Sequence, residues 1–392
     1  MYTPSASGGH ALYTRELMTA LARHADADRR FELVTSDDLA DEFRTDAYPI
    51  HAILPRLRHR KQFRTPIGWA VSRALHYPRR ERTLLNWLKT RPDVTGVHFQ
   101  EYKPWLARRL FGALKASGRR IYYTVHNLRP HDYPPGVPKR LMDHWNHQSW
   151  RMCDGLFVHT ERLAGELAEL LGKSHPPIHV SPHGTWTVDR PVEVPTVEER
   201  LRWKRLLFFG TIRRNKGLDL LLQAAEELPG YSITVAGETG DYDYYNGVIT
   251  PQVQRLRDRG MAVDVRLRFT PEAEVGPLLA AHSAIVLPYT RKFMAQSGVV
   301  FLALAHEMPV VASEVGGLRD LFGEFEIGTT FDDLTPHGLA SAVRRLFDHV
   351  PHGDLAAQIR AARRRYSWSA AAEATLAGYG MAPAPVLAGV ER

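Results

Sequence analysis

The sequence predicts an α/β fold of two halves, each a parallel sheet flanked by helices. Short apolar runs alternate with longer amphipathic ones, the rhythm of βα units. That rhythm stops near Ser181-Pro182-His183-Gly184 and then restarts. The chain has 392 residues, enough for two domains of ordinary size with a core each.

In chain order, the first half reads as a helix over 14–24 and strands over 31–35, 94–100, 121–126 and 155–159. The second half reads as strands over 205–210, 232–237, 263–269, 284–288 and 309–313. Helices are expected over 217–227, 275–281 and 299–305. The Pro-rich stretch 184–195 reads as a linker, and the Ala/Pro-rich tail 381–392 as disordered. One feature breaks the pattern. A doubly wound half opens on a buried strand that feeds a glycine turn, yet only MYTPSAS precedes Gly8-Gly9. Either the first strand is missing or Tyr2-Thr3 is what remains of it.

Composition narrows the class. Hydrophobic residues at 44% and charged residues at 24% describe a soluble globular chain. No run approaches the roughly 18 apolar residues that span a bilayer. The start MYTPSASGGH lacks the basic and apolar regions of a signal peptide. Cys153 is the only cysteine, which rules out an intrachain disulfide and a cysteine-based metal cluster. A cytoplasmic protein is expected. The net charge of +8 points to anionic partners. Residues 56–91 hold eleven Lys or Arg against one acid, Glu81, interleaved with Trp69, Tyr77, Leu84, Leu85, Trp87 and Leu88. Such a stretch is either a solvated face or a surface for anionic lipid or an anionic acceptor. No nucleic-acid-binding motif accompanies it, so nucleic acid is not expected as a partner.

Chemistry concentrates in the second half. In LLFFGTIRRNKGLDLLLQA an apolar strand ends at Gly210, a loop carries Arg213, Arg214 and Lys216, and a helix follows. A strand-to-helix turn at the carboxyl edge of a parallel sheet is where α/β folds hold phosphates. Further on, Gln296-Ser297-Gly298 opens a helix, and Gly316-Gly317 makes another turn on the same edge. The two turns form a candidate diphosphate cradle.

The pieces SGGH, YTVHN, CDGLFVHTE, SPHG, FFGTIRRNKGLDLLL, VAGE, VLPY and QSGVVFLALAHEMPVVASEVGGL resemble, in order, those of a family-4 glycosyltransferase of the GT-B fold. The resemblance implies two Rossmann-like parallel-sheet domains facing a cleft: 1–183 on the acceptor side, 184–365 binding the nucleotide sugar, and a helix over 366–380 returning to the first domain. It implies sugar transfer from a nucleoside-diphosphate sugar, with retention and no bound metal, to the hydroxyl of a glycan, lipid-linked or small-molecule acceptor. The donor is UDP-linked first, GDP- or dTDP-linked as alternatives, and no cofactor is bound. By the same resemblance Arg213 and Lys216 neutralise the donor diphosphate, Gly8 and Gly9 approach its phosphates, and His126 contacts the transferred sugar. Gly210, Gln296, Ser297 and Gly298 line the donor site.

The chain departs from the family pattern where two glutamates are usual, placing Met294 and Leu302 there. Neither accepts a hydrogen bond from a sugar hydroxyl as a carboxylate does. Glu238, Glu314 and Asp320 are the substitute candidates. Thr211 also stands where an arginine is usual, with Arg213 two places on. The rival readings are a catalytically silent partner subunit, a nucleotide-sugar 2-epimerase and a phosphorylase. The last two want cleft carboxylates or a pyridoxal lysine, and no sign of either is found.

Overall fold

The computed structural model describes residues 1–26, 28–57, 63, 65–128, 138–187, 193–293 and 296–382. They form two compact units, Met1–Gly184 with Trp368–Arg392, and Thr185–Ser367.

Unit 1 has strands β1 (Leu33–Ser36), β2 (Ile50–Leu54), β3 (Gly96–Phe99), β4 (Arg120–Thr124), β5 (Gly155–Val158) and β6 (Ile178–Val180). β1 pairs with β2, and β3 to β6 pair in chain order, all parallel. Tyr2 joins the two groups by parallel bridges to Val34 and Phe99. Its N–H donates to the His98 carbonyl at 2.8 Å, and its carbonyl accepts from Gln100 at 3.0 Å. Tyr2-Thr3 therefore occupies the first-strand position. Gly8, at φ 78, caps helix α1 (Gly9–Ala22) and turns the chain into it. That turn starts α1 five residues before the expected 14.

Helices α2 (Pro66–Lys89), α3 (Pro104–Ala116), α4 (Lys139–Arg151) and α5 (Glu161–Leu171) complete unit 1. Thr65 caps α2 by accepting from the Gly68 N–H, with Pro66 at its first turn, and Thr160 caps α5. Phe99, Leu110, Phe111, Ile121, Leu156 and Leu167 are fully enclosed between sheet and helices. Truncating one such leucine to alanine costs about 2–5 kcal/mol.

The basic stretch 56–91 lies mostly on α2, and it is not one solvated face. Arg80 is buried and donates to the carbonyls of Pro55 and Pro4 and to Ser36 Oγ. Arg91 pairs with Glu32 and Asp93. Glu81 is buried, and burial raises its pKa. Arg58, Arg60, Lys61 and Arg64 lie outside the described residues. No helix among the described residues is long and apolar enough to cross a membrane.

Unit 2 has strands β7 (Arg205–Phe209), β8 (Ser232–Ala236), β9 (Val263–Arg266), β10 (Ala284–Leu287), β11 (Val310–Ser313) and β12 (Gly328–Phe331). The parallel order β12-β11-β10-β7-β8-β9 reverses between β7 and β10. That reversal is the topological switch point at which doubly wound sheets bind ligands. Arg200 is fully buried. It donates to the carbonyls of Leu279, His282 and His306, tying the ends of the helices Glu272–Ala280 and Gly298–Ala305.

After Ser367 the chain returns to unit 1 as the helix Trp368–Gly378. The Trp368 ring lies against Gly184, where a Cβ would stand 2.2 Å from it. Tyr379 OH meets His98 Nδ1 at 2.5 Å. Of the tail expected to be disordered, Met381 and Ala382 are described, and residues 383–392 lie outside the described residues.

Candidate active site

The switch point of unit 2 draws several expected residues together. Gly210 ends β7 at φ 99; a Cβ there would sit 3.2 Å from Lys216 Nζ and 3.4 Å from Val299 in the first turn of the helix Gly298–Ala305. Gly237, at φ 153, ends β8 so close that a Cβ would stand 2.1 Å from the Gly210 carbonyl. Only glycine fits that approach. The Ile212 N–H donates to the Glu238 carbonyl at 2.7 Å, which holds the loops after β7 and β8 in register. The loop after β10 joins them through Thr290 N–H to the Asn215 carbonyl at 3.0 Å.

Lys216 Nζ lies 5.8 Å from the centre of the Tyr289 ring. Burial, with Arg213 as the lesser cause, lowers its pKa to about 8. Arg214 pairs with Asp241 at 3.0 Å and stacks on Tyr244. Arg213 is exposed and has no acidic partner among the described residues. The two adjacent arginines are thus distinguished: one braces the loop and the other is available.

Ser297 is buried and exchanges a hydrogen bond with Tyr289 OH at 3.0 Å, so its hydroxyl does not cap the helix it precedes. What remains for an anion there is the helix's own amides. Gln296 packs on Gly317, where a Cβ would stand 2.3 Å from its Oε1. Gly298 accepts from Trp186 Nε1 at 2.6 Å. Of the acids, Glu314 accepts from Thr330 Oγ1 and Asp320 lies on the helix Gly316–Glu324. Glu238 is exposed beside Gly237 with its carboxylate unpaired among the described residues. Leu302 packs against the core, and Met294 lies outside the described residues.

In unit 1, β4, β5 and β6 are each followed by a histidine: His126, His159 and His183. His159 Nδ1 donates to the Ser181 carbonyl at 3.0 Å, because a carbonyl only accepts. Its Nε2 is therefore a lone pair and takes the proton of His126 Nδ1 at 2.9 Å. Burial holds His126 well below its ordinary pKa, His159 at about 4 and His183 at about 3. Neutral His126 then presents Nε2 as an acceptor; Gln100 Oε1 stands 3.1 Å from it, and turning that amide over places its NH2 there instead of on Met1 Sδ. Tyr13 packs edge-on to His126, His159 and Trp368. Gly8 needs glycine for its φ, whereas Gly9 has no such demand; neither has an atom near its Cβ position.

A cavity of about 1060 Å³ opens in unit 1, lined by His10, His126 and Asn127 and also by Arg73, Tyr77 and Lys103. The sequence pointed to His126 alone among these as a site residue. Among the described residues, no cluster of three or more His, Cys, Asp or Glu side chains is arranged to hold a metal.

A doubly wound sheet with a cationic turn at its switch point, joined in one chain to a second parallel α/β unit, defines the GT-B class of proteins. The chain belongs to the family-4 glycosyltransferases: the family described as Glycosyltransferase Family 4 matches residues 7–187, and Glycosyl transferases group 1 matches 203–349. Among curated relatives, the GDP-mannose:glycolipid 4-beta-D-mannosyltransferase of Xanthomonas campestris pv. campestris is 27% identical over 245 residues, covering 57% of this chain and 62% of that one. The D-inositol 3-phosphate glycosyltransferase of Mycolicibacterium smegmatis is 29% identical over 243 residues, covering 59% and 53%. The chain thus spans between half and two thirds of these relatives' length. The same fold is seen in sucrose-phosphate synthase from Thermosynechococcus elongatus, with a TM-score of 0.71, 18% identity and coverage of 95% and 93%. Anabaena HepE in complex with UDP gives 0.70, 13%, 97% and 98%.

Proposed function

We propose that the protein transfers a sugar from a nucleoside-diphosphate sugar to an acceptor hydroxyl, with retention and without a metal. Unit 2 takes the donor: Arg213, Lys216 and the amides opening the helix Gly298–Ala305 receive the diphosphate. As the bond to the sugar breaks, negative charge builds on the leaving diphosphate, and these fixed cations and dipoles stabilise it. Glu238 reaches toward the ribose or sugar hydroxyls in place of the missing glutamates. Unit 1 takes the acceptor in its cavity, and neutral His126 holds the sugar by exchanging its Gln100 contact for a sugar hydroxyl. The observation that carries this reading is the convergence of Gly210, Gly237 and half-buried Lys216 at the switch point of β7 and β10.

UDP is the expected nucleotide, supported by the similarly folded Anabaena HepE, whose structures hold UDP and UDP-glucose. GDP- and dTDP-sugars are the alternatives. A thermal-shift panel of UDP-, GDP- and dTDP-sugars tests it, followed by hydrolysis of whichever binds. No shift and no hydrolysis with any of them would overturn the reading.

We place the protein in the cytoplasm, in peripheral contact with anionic membrane through the basic stretch carried mostly by α2. Val71 and Leu75 stand exposed there on the same helix as Arg79 and Arg82. Sedimentation with phosphatidylserine vesicles at low salt, and release as salt screens the charges, is the expected outcome. Binding that ignores salt, or no binding at all, removes the membrane contact.

A further inference from the structure

The cavity of unit 1 is lined by Arg56, Arg73, Arg80 and Lys103, none of them in an ion pair among the described residues, and by three carboxylates. Arg73 lies over the Trp69 ring at 5.3 Å and near the Tyr77 ring at 5.7 Å. Its Nη1 donates to Tyr77 OH at 2.8 Å, and its Nε is buried without a partner among the described residues. Lys103 Nζ stands 5.8 Å from the same Tyr77 ring. Neither Arg73 nor Lys103 has an acidic partner among the described residues, and exposed Arg56 lines the same cavity in the same state.

The three carboxylates that share the cavity are already engaged. Asp38 accepts from Ser36 Oγ at 2.5 Å, Glu81 accepts from Tyr102 OH, and Glu101 accepts from Ser5 and Thr3. Arg80, the remaining cation, spends its guanidinium on two carbonyls and a hydroxyl. Two like charges set against one aromatic ring repel each other, and a buried guanidinium nitrogen without an acceptor is costly. An anion with several acceptor oxygens, seated between the two cations, relieves the repulsion.

We propose that this cavity binds an acceptor bearing a phosphate group, held by Arg73 and Lys103 with Arg56 at the rim. The proposal rests on the reading of unit 1 as the acceptor side. A tetrahedral oxyanion matches an arginine fork and a lysine together better than a planar carboxylate does. Trp105, partly exposed and 6.3 Å from Tyr77, supplies an aromatic wall for the sugar or polyol ring that carries the phosphate. Such a phosphate comes either on a soluble sugar or polyol or at the head of a lipid.

The test uses the full chain and its tryptophan fluorescence, since Trp69 and Trp105 flank the proposed site. Inorganic phosphate is titrated at constant ionic strength against chloride. Saturable quenching by phosphate is expected. Arg73→Gln and Lys103→Gln should each weaken it by about tenfold or more, the loss of a charged hydrogen bond. Arg73→Lys should restore part of it. Lys103 is exposed, so its variant keeps the test open if Arg73→Gln fails to fold. Phosphate no more effective than chloride, or Gln variants that bind it like the parent, would overturn the proposal.

Two further arms separate the sources. Tighter binding of glucose 6-phosphate than of inorganic phosphate, lost in the Gln variants, supports a soluble acceptor. Sedimentation with phosphatidylcholine vesicles containing phosphatidic acid, lost in the same variants, supports a lipid-borne one. Binding of UDP, GDP and dTDP is measured alongside. Phosphate binding with none of the three nucleotides bound would refute the transferase reading and leave the anion site standing; nucleotide binding without phosphate binding would do the reverse.

Discussion

At the residue scale, Lys216 ties a titration to a binding event. Its ammonium loses hydration on burial, which favours the neutral amine and brings the pKa to about 8. Below that pH the group is a cation facing the donor turn, and above it the charge is lost. UDP affinity should therefore be level near neutrality and fall above pH 8, approaching about tenfold per pH unit. Calorimetry across pH 6 to 10 reads the slope; Lys216→Gln should bind weakly and show none. A sloping profile in Lys216→Gln would assign the titration elsewhere. Arg213→Ala should cost about 1.5–3 kcal/mol of donor binding with little change in folding temperature, because the side chain is exposed. His126→Ala should lower turnover much more than it lowers UDP affinity, since UDP is assigned to the other unit. Equal losses would make His126 a structural residue. Much of this was legible: YTVHN, CDGLFVHTE and SPHG each carry a histidine just past an apolar run. That the first two are hydrogen-bonded was not, because it depends on the register of β4 against β5. Arg73 and Lys103 stayed hidden for a similar reason, since only the packing around Tyr77 brings them to one ring.

At the element scale, glycines mark where strand ends must touch. Gly217 (φ 63) and Gly237 (φ 153) both combine a positive φ with a Cβ position inside a carbonyl, 1.9 Å from Pro288 O and 2.1 Å from Gly210 O. Gly8 (φ 78) has the dihedral without the clash. Gly8→Ala should then cost only backbone strain, about 1–3 kcal/mol at φ 78 and ψ −168. Gly237→Ala must push β7 and β8 apart at the donor turn, so it should lower both the melting temperature and UDP affinity. A Gly237→Ala protein that melts and binds UDP like the parent would show that the turn tolerates a side chain. The strands that were legible, β7, β8, β10 and β11 among them, are buried apolar runs bounded by glycine, proline or polar residues. Those that were not were β2 (IHAIL), β6 (IHV) and β12 (GTTF), which are short, partly exposed or rich in polar residues. They are strands because a neighbour offers an edge, and a single sequence does not record that.

At the scale of the whole molecule, the chain leaves unit 1 at Gly184, builds unit 2, and comes back through Trp368 to finish unit 1. The two passages are adjacent at that point: Thr185 donates from its N–H and its Oγ1 to the Tyr366 carbonyl at 2.7 and 2.6 Å. Within unit 1 the returning helix covers Tyr13, His98 and Phe157. Ser181 Oγ donates to the Ala371 carbonyl at 3.1 Å, and a Cβ on Gly378 would stand 2.5 Å from the Phe157 ring. The covered side chains belong to the same layer as the histidine chain, so the helix is part of what holds His126 in place. Unit 1 therefore depends on residues that are synthesised after unit 2 is complete at Ser367. Ending the chain at Ser367 should expose Tyr13, His98 and Phe157, lower the melting temperature of unit 1 by several degrees and abolish transfer. UDP binding should survive, because its residues all lie before that point. Thermal unfolding with and without UDP separates the two units: nucleotide should stabilise only the transition of unit 2. If the shortened chain loses UDP binding as well, the units do not fold independently and the terminal helix supports both.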